Sequence, residues 1–396
     1  MDHAPEIALS RGVKRGLAIA AAVLAVVTMV GVALLAGTDE PEINARQLGL
    51  NSQVFAAEVV SVRLGPCAGT AAADRVPCYA IGFRPEAGPD SGSRLRFEIP
   101  KLATSPDLSA GDQIVVSYDR KAEPGFRYQY NDRQRGSVLW WLFALFALAV
   151  IALGRWRGLA ALVGLGASFA VLLFFVLPAL VAGQEPVLVA LTGASAIAFL
   201  ALYVAHGFNF MTTVALLGTL VALVITVLLA MIFVDLAHLT GFTSDEAFVV
   251  QVGTSGGISI TGLVLAGMVL GALGALDDVT VTQASAVWEL RDASPDMSVR
   301  ALARAGLRIG RDHVASTVNT LALAYAGAAL PLLILFVFSR QSLGTIANSE
   351  VIATEIIATL VGSIGLVAAV PITTWLAAAV LPRRLTSESL SPEHDF

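Results

Sequence analysis

Charged residues are scarce in this chain. Asp, Glu, Lys and Arg together make up 14% of the 396 residues, whereas hydrophobic residues make up 56% and the mean hydropathy is +0.76. This composition excludes an ordinary soluble domain and indicates a polytopic membrane protein. Lysine occurs only three times, the net charge is −5, and there is no basic stripe with interleaved aromatic residues. We therefore expect no nucleic-acid partner.

Several motifs of soluble enzymes are also missing. The chain contains no phosphate-binding loop, no HExxH and no CxxC. We therefore expect no enzymatic activity, no cofactor and no metal site. An intramembrane aspartyl protease would need acids from two separate spans, whereas the adjacent acids Asp277 and Asp278 would point about 100° apart on one helix.

Eight apolar stretches predict about eight transmembrane helices. The first stretch, residues 17–36, is longer than the apolar core of a signal peptide, which runs to roughly 15 residues, so we interpret it as a retained anchor. A cleaved signal peptide is the alternative interpretation. The other seven stretches are residues 138–153, 159–181, 187–204, 210–234, part of 248–284, 314–338 and 352–381.

The cations of the short connections predict the orientation. In an eight-span count all of them except Arg340 fall on one side, which the positive-inside rule assigns to the cytoplasm of a bacterial inner membrane. Both termini are then cytoplasmic. This predicts four parts: residues 1–36 with the first span, an extracytoplasmic domain at 37–137, a seven-helix membrane domain at 138–384, and a cytoplasmic tail at 385–396.

Residues 37–137 have the composition of a soluble domain. Short alternating runs predict five strands and a small, OB-like β-rich domain. Cys67 and Cys78 flank the loop between the first two strands, and a disulfide between them would suit an oxidising compartment. Two free thiols are the alternative. The five predicted strands are residues 54–64, 78–83, 93–99, 112–118 and 126–130.

The acid pair Asp277 and Asp278 is the most unusual feature of the chain, because it follows a glycine-studded apolar stretch. Gly267, Gly271 and Gly274 would let another helix approach closely, and the first two form a GxxxG pair. A span that begins near Gly262 would hold both acids within the membrane, where such residues are commonly functional. Neighbouring carboxylates in a low dielectric repel, so one is expected to hold a proton. A span that begins near residue 252 would instead leave both acids solvated at a helix end.

Other polar residues lie at predicted helix ends or within spans. They are candidates for a proton or polar relay, but each has a plainer interpretation. His206 and Asn209 would be structural at a helix end, Arg311 and Asp312 would form a local ion pair, and Asn319 would bond to a neighbouring helix. The arginine-rich segment 294–313 predicts an amphipathic helix at the inner membrane surface.

Three stretches resemble the YibE/F family of multi-spanning bacterial membrane proteins. They are HGFNFMTTVALLGTL, GLVLAGMVLGALGALDDVTVTQASAVWEL and GLRIGRDHVASTVNTLALAYAGAALPLLILF, and the resemblance covers about residues 138–384. The resemblance implies the membrane class and no particular biochemical activity. The family pattern has a single acid at the position of Asp278, whereas this chain also has an acid at Asp277. A weaker similarity to RND-type exporters and SecD/SecF proteins is an analogy about mechanism. It concerns an acid in a glycine-rich span that is followed by a short cytoplasmic amphipathic segment and another span, and an outer domain after the first span.

These observations favour an inner-membrane permease or exporter component with protons coupled through Asp278 and Asp277. The alternative is a non-catalytic envelope assembly or scaffold protein that binds a partner through its outer domain. The expected partners are the lipid bilayer and an unidentified small molecule, ion or envelope protein, and an oligomer is compatible with the sequence.

Overall fold

A computed structural model describes residues 9–36, 53–67, 77–123, 125–254 and 256–382. These residues form two compact units, one within residues 44–149 and the other from the rest of the chain. The predicted tail at 385–396 lies outside the described residues. The helices are α1 Arg11–Leu35, α2 Gly136–Val171, α3 Leu177–Val181, α4 Pro186–His206, α5 Phe210–Leu236, α6 Asp245–Gly253, α7 Ile260–Ala293, α8 Val299–Ala328, α9 Leu330–Ser339, α10 Leu343–Ala347 and α11 Glu350–Val380, with a π-helical turn Leu172–Val176 between α2 and α3.

Six helical stretches of the described chain are long and apolar enough to cross a membrane. Counting the bent pair α8 and α9 as one more span raises the number to seven. Because backbone polar groups are satisfied within each helix, such segments are stable in lipid. The chain is therefore an integral membrane protein, which confirms the predicted class. The spans are Arg11–Leu35, Gly136–Val181, Pro186–His206, Phe210–Leu236, Ile260–Ala293 and Glu350–Val380.

The longest stretch, Gly136–Val181, is interrupted at Arg155. This residue has φ 51° and ψ −125°, so the stretch consists of two helices that meet at a kink. Gly158 allows the close approach there, since a Cβ at this position would collide with the carbonyl oxygen of Val150. The kink coincides with the short basic turn predicted between the second and third spans.

The centre of the membrane unit is formed by α5, α7 and α11. Leu216 and Leu223 of α5, Leu276 of α7 and Leu366 of α11 are fully buried there. Glycine and threonine pack reciprocally between α5 and α11: Thr373 lies against Gly218, and Thr226 lies against Gly365. Small residues of this kind let two helix backbones approach closely, which is the main source of packing energy between helices in lipid.

The glycines predicted to pack on α7 differ from those that do. A Cβ added at Gly271 would lie 2.8 Å from the Tyr325 hydroxyl, so this glycine makes a close contact. At Gly267 and Gly274 an added Cβ would meet no atom within 4 Å in the described structure. Within the described residues, neither Gly267 nor Gly274 therefore makes the close helix contact that the sequence predicted.

The arginine-rich segment is not a separate surface helix. It is the first part of α8, which continues from Val299 to Ala328 without a break. Its small face packs inside the protein: Gly306 lies against Val287 of α7 and Thr374 of α11. The amphipathic pattern therefore reflects burial against two helices and not an apolar face in lipid, which corrects the prediction.

Residues 53–133 contain all five predicted strands. They form one antiparallel sheet in the order β3-β2-β1-β4-β5. The two edge strands approach each other, since the rings of Phe97 on β3 and Tyr130 on β5 lie 6.4 Å apart. The sheet is therefore curled around a small apolar core. Its strands are β1 Gln53–Pro66, β2 Pro77–Pro85, β3 Leu95–Pro100, β4 Gln113–Tyr118 and β5 Tyr128–Arg133.

Cys67 and Cys78 form a disulfide in this unit. Their Cα atoms are 4.9 Å apart. The geometry follows from the strand register, in which Gly65 at the end of β1 pairs with Cys78 near the start of β2. The bond therefore links β1 and β2 at the end of their ladder.

Candidate functional site

Helix α7 carries the acid pair well inside its length. Ser259 caps its first turn by accepting a hydrogen bond from the Gly262 amide, so the helix begins at Ile260. At about 1.5 Å per residue, Asp277 lies roughly 25 Å beyond that start. The helix then continues to Ala293. The alternative in which both acids cap a helix end is therefore wrong.

Asp277 and Asp278 line a cavity of about 610 Å³. His206, the last residue of α4, lines the same cavity, so the structure brings together three of the predicted relay residues. Three elements that are distant in sequence form the walls. They are α2 with the first residue of the π-helical turn (Ala161, Gly164, Leu165, Ser168, Phe169, Leu172), α4 (Ile197, Ala201, Leu202, Ala205, His206) and α7 (Leu270, Leu273, Gly274, Asp277, Asp278, Val281).

The two carboxylates differ in their surroundings. Oδ1 of Asp277 is buried and has no hydrogen-bond partner among the described residues. Asp278 is exposed. The family pattern made Asp278 the leading candidate for a functional acid. In the structure, however, the acid with a buried, unpartnered oxygen is Asp277. A buried polar atom without a partner costs about 1–3 kcal/mol, and more when it is charged.

Polar groups close to Asp277 on the same helix are paired. The Thr280 and Thr219 hydroxyls lie 2.6 Å apart across α7 and α5. The Gln283 amide donates to the Gly306 carbonyl at 2.8 Å and to the Thr374 hydroxyl at 2.7 Å. Side-chain hydrogen bonds thus join α7 to α5, α8 and α11. Oδ1 of Asp277 therefore differs from the Thr280 and Gln283 side chains of the same helix, although the buried hydroxyls of Thr212, Ser363 and Thr373 also lack a partner in the described structure.

The charge of the cavity is predominantly acidic. Its lining contains two carboxylates and one imidazole, and none of these described residues is Lys or Arg. An arrangement of this kind attracts a proton or a cation and repels an anion. The chemistry available is therefore proton or cation binding.

Asn209 has a structural role beside the cavity. Its side chain caps α5 by accepting from the Thr212 amide at 2.8 Å, and it donates to the His206 carbonyl at 2.8 Å. These bonds fix the connection between α4 and α5, and with it the position of His206. Asn209 does not itself line the cavity.

The remaining predicted residues, Arg311, Asp312 and Asn319, lie elsewhere. All three are on α8, are exposed and do not line the cavity. The ion pair predicted for Arg311 and Asp312 is wrong, since neither side chain forms an ion pair within the part of the chain that the structure describes. Neighbours along a helix do not face each other, which is the reason for this difference.

A second acidic position was missed by sequence reasoning. Glu355 of α11 lines a cavity of about 350 Å³ together with Tyr325 of α8. Both side chains are half-buried, and the Tyr325 hydroxyl is the atom that lies against Gly271. The available signal was a lone acid in the apolar run from Ile352 to Leu360.

Features that would indicate a metal site or a hydrolase are weak. No group of three His, Cys, Asp or Glu residues that could hold a metal ion occurs within the described ranges. Residues 253–257, GTSGG, formally match the G-x-S-x-G motif of hydrolases. Gly253 ends α6 and Gly257 lies shortly before α7, whereas that motif requires a strand followed by a helix.

Comparison with known proteins assigns the chain to a family. No curated protein and no solved structure matches it. Residues 142–383 match the sequence profile of the YibE/F-like protein family, a span that includes the acid pair, His206 and Glu355. Because the match covers more than half of the sequence, and agrees with the resemblance of the three quoted stretches, the chain belongs to the YibE/F family.

Proposed function

We propose that this protein is a permease or exporter component of the bacterial inner membrane, and that Asp277 takes up and releases a proton during transport. The observation that supports the proposal is the Oδ1 atom of Asp277, which is buried without a partner at the wall of a 610 Å³ cavity. A carboxylate in such a place is stable only when a proton or a cation accompanies it. The proposal assigns no enzymatic chemistry to the chain.

The proposal includes the topology. Dividing the Gly136–Val181 stretch at its kink and counting α8 with α9 as one span gives eight crossings. The arginines of the short connections, except Arg340, then face the cytoplasm together with both termini. The OB-like β-rich unit lies outside, where the Cys67–Cys78 disulfide is stable.

Complementation tests the proposal. A strain that lacks the gene is supplied with Asp277→Asn, an isosteric change that removes the ionisable group. We expect the growth or export phenotype of the wild-type gene to be lost at unchanged membrane abundance. The matched control is Asp292→Asn, because Asp292 is an exposed acid on the same helix that does not line the cavity.

A scaffold role predicts a different pattern. In that case Asp277→Asn complements fully, whereas deletion of residues 40–135 abolishes complementation. Full activity of Asp277→Asn therefore contradicts the proton role, and the deletion then measures the contribution of the outer unit. Labelling of single-cysteine variants with a membrane-impermeant reagent checks the proposed orientation independently. A cysteine at residue 185 should be labelled from outside, and one at residue 292 should be protected.

A further inference from the structure

We infer that the cavity binds a lipophilic cation, a molecule with an apolar body and one positively charged group. The inference rests on the proposed function, because it names the substrate class of the same site. It is carried by two features together: apolar walls of sufficient size, and an acidic end in which one carboxylate oxygen of Asp277 has no hydrogen-bond partner among the described residues.

The size and the walls match an apolar body. A volume of about 610 Å³ lies within the range of roughly 300–1,000 Å³ that is typical of small-molecule sites. Most of the lining is apolar, and Phe169 is 55% exposed, so its ring is accessible to a ligand. Aromatic rings contribute both apolar contact and attraction to a cation.

The acidic end determines the charge of the ligand. A neutral apolar molecule would leave the charge of the two acids uncompensated, and an anion would be repelled by both carboxylates. A cation offsets the charge of the buried Asp277 carboxylate through space and is attracted by Asp278. A small hydrated cation alone would leave the apolar walls unused, so the walls and the acids together select a molecule with both properties.

Two glycines of α7 provide a matched test of the cavity. Gly274 and Gly267 are both exposed, and a Cβ at either position meets no atom within 4 Å in the described structure. Gly274 lines the cavity, whereas Gly267 does not. Leucine at position 274 therefore adds a side chain at the cavity, with room for its Cβ, and leucine at position 267 makes the same chemical change outside the cavity.

The experiment measures equilibrium binding of radiolabelled tetraphenylphosphonium to the purified full-length protein in detergent. Tetraphenylborate, which has nearly the same shape and the opposite charge, is the matched ligand control. We expect saturable binding of the cation and none of the anion. Gly274→Leu and Asp277→Asn should each weaken binding about tenfold or more, whereas Gly267→Leu and Asp292→Asn should leave it unchanged.

Size-exclusion chromatography verifies that each variant is folded, and Asp277→Asn provides the test if Gly274→Leu is not. The inference is overturned if tetraphenylphosphonium does not bind, if tetraphenylborate binds equally well, or if both cavity variants bind like the wild type. Failure here is distinct from failure of the proposed function. If Asp277→Asn fails to complement and the wild-type protein does not bind the cation, only the proposed ligand class is contradicted. If the wild-type protein binds the cation and Asp277→Asn complements fully, only the proposed proton coupling is contradicted.

Discussion

Two regions of α7 differ in whether their polar side chains have hydrogen-bond partners. At the contacts with α5, α8 and α11, Thr280 and Gln283 each have a partner from another helix. At the cavity, less than two turns away, Oδ1 of Asp277 has none in the described structure. Thr280 and Gln283 join helices together, whereas the buried Oδ1 atom is the candidate site for a proton. Among these three side chains of α7, hydrogen bonding therefore separates the two that join helices from the one proposed to give the protein activity.

The largest expected effect concerns the paired side of this comparison. Gly365→Val should prevent assembly of the membrane unit, because its side chain would collide with Thr226 of α5. Overpacking of this kind costs about 1–3 kcal/mol, and more where two backbones approach closely. Fluorescence-detected size exclusion of the detergent extract measures the monodisperse fraction. Gly267→Val is the control, and equal yields of the two variants would contradict the proposed packing.

The next effect concerns Asp277, where a substitution is expected to stabilise the protein. Asp277→Leu should increase the free energy of unfolding by about 1–3 kcal/mol, since it removes a buried polar atom without a partner, while it abolishes complementation. Unfolding in SDS followed by circular dichroism measures the stability. Asp278→Leu serves for comparison, because this exposed acid should change the stability less. A less stable Asp277→Leu protein would show that the carboxyl is satisfied in the folded state.

Gln283→Leu should have a smaller, destabilising effect. It removes the hydrogen bonds to the Gly306 carbonyl and the Thr374 hydroxyl. Interhelical hydrogen bonds in membranes contribute roughly 0.6–1.7 kcal/mol each, so we expect a loss of that order in the same SDS assay. Complementation at equal abundance should remain at the wild-type level. Loss of complementation in a stably folded Gln283→Leu protein would show that Gln283 is needed for activity, and would contradict the assignment of this residue to stability alone.

The smallest expected effect concerns a hydrogen-bonded pair in the β-rich unit. Tyr128 is buried and donates to Asp90 at 3.0 Å. Burial, and then the neighbouring carboxylate, raises the pKa of Tyr128 to about 12. An unfolded tyrosine has a pKa of about 10, so the folded state holds the proton more tightly. The stabilisation is fully present below about pH 10 and is lost as the pH rises towards 12.

Thermal unfolding between pH 9 and pH 11.5, followed by tyrosine fluorescence, measures this dependence. The midpoint of the wild-type protein should fall more steeply above pH 10 than that of Tyr128→Phe. At pH 9 the variant should be less stable by about 1 kcal/mol, the usual contribution of one hydrogen bond. Identical pH profiles would show that Tyr128 does not contribute to the alkaline transition.

The sequence by itself determined the membrane class, the family, the strands of the β-rich unit and the presence of two acids on one long helix. These properties depend on local composition and periodicity, which a single segment carries within itself. The alternation of residues 78–83 predicts a strand, for example, and β2 is found at Pro77–Pro85. The same local rules left open whether the helix ends at the acid pair, and the structure continues α7 to Ala293.

Only the tertiary structure decided which polar residues meet. The cavity joins residues near positions 165, 200 and 275, and it includes His206 but excludes Asn319 and Arg311. Lipid tails are as apolar as a protein interior, so an apolar helix carries no pattern that marks its inward face. For this reason the sequence could not show that Gly267 faces open space, that Glu355 meets Tyr325, or that Asp277 has the sealed carboxylate oxygen.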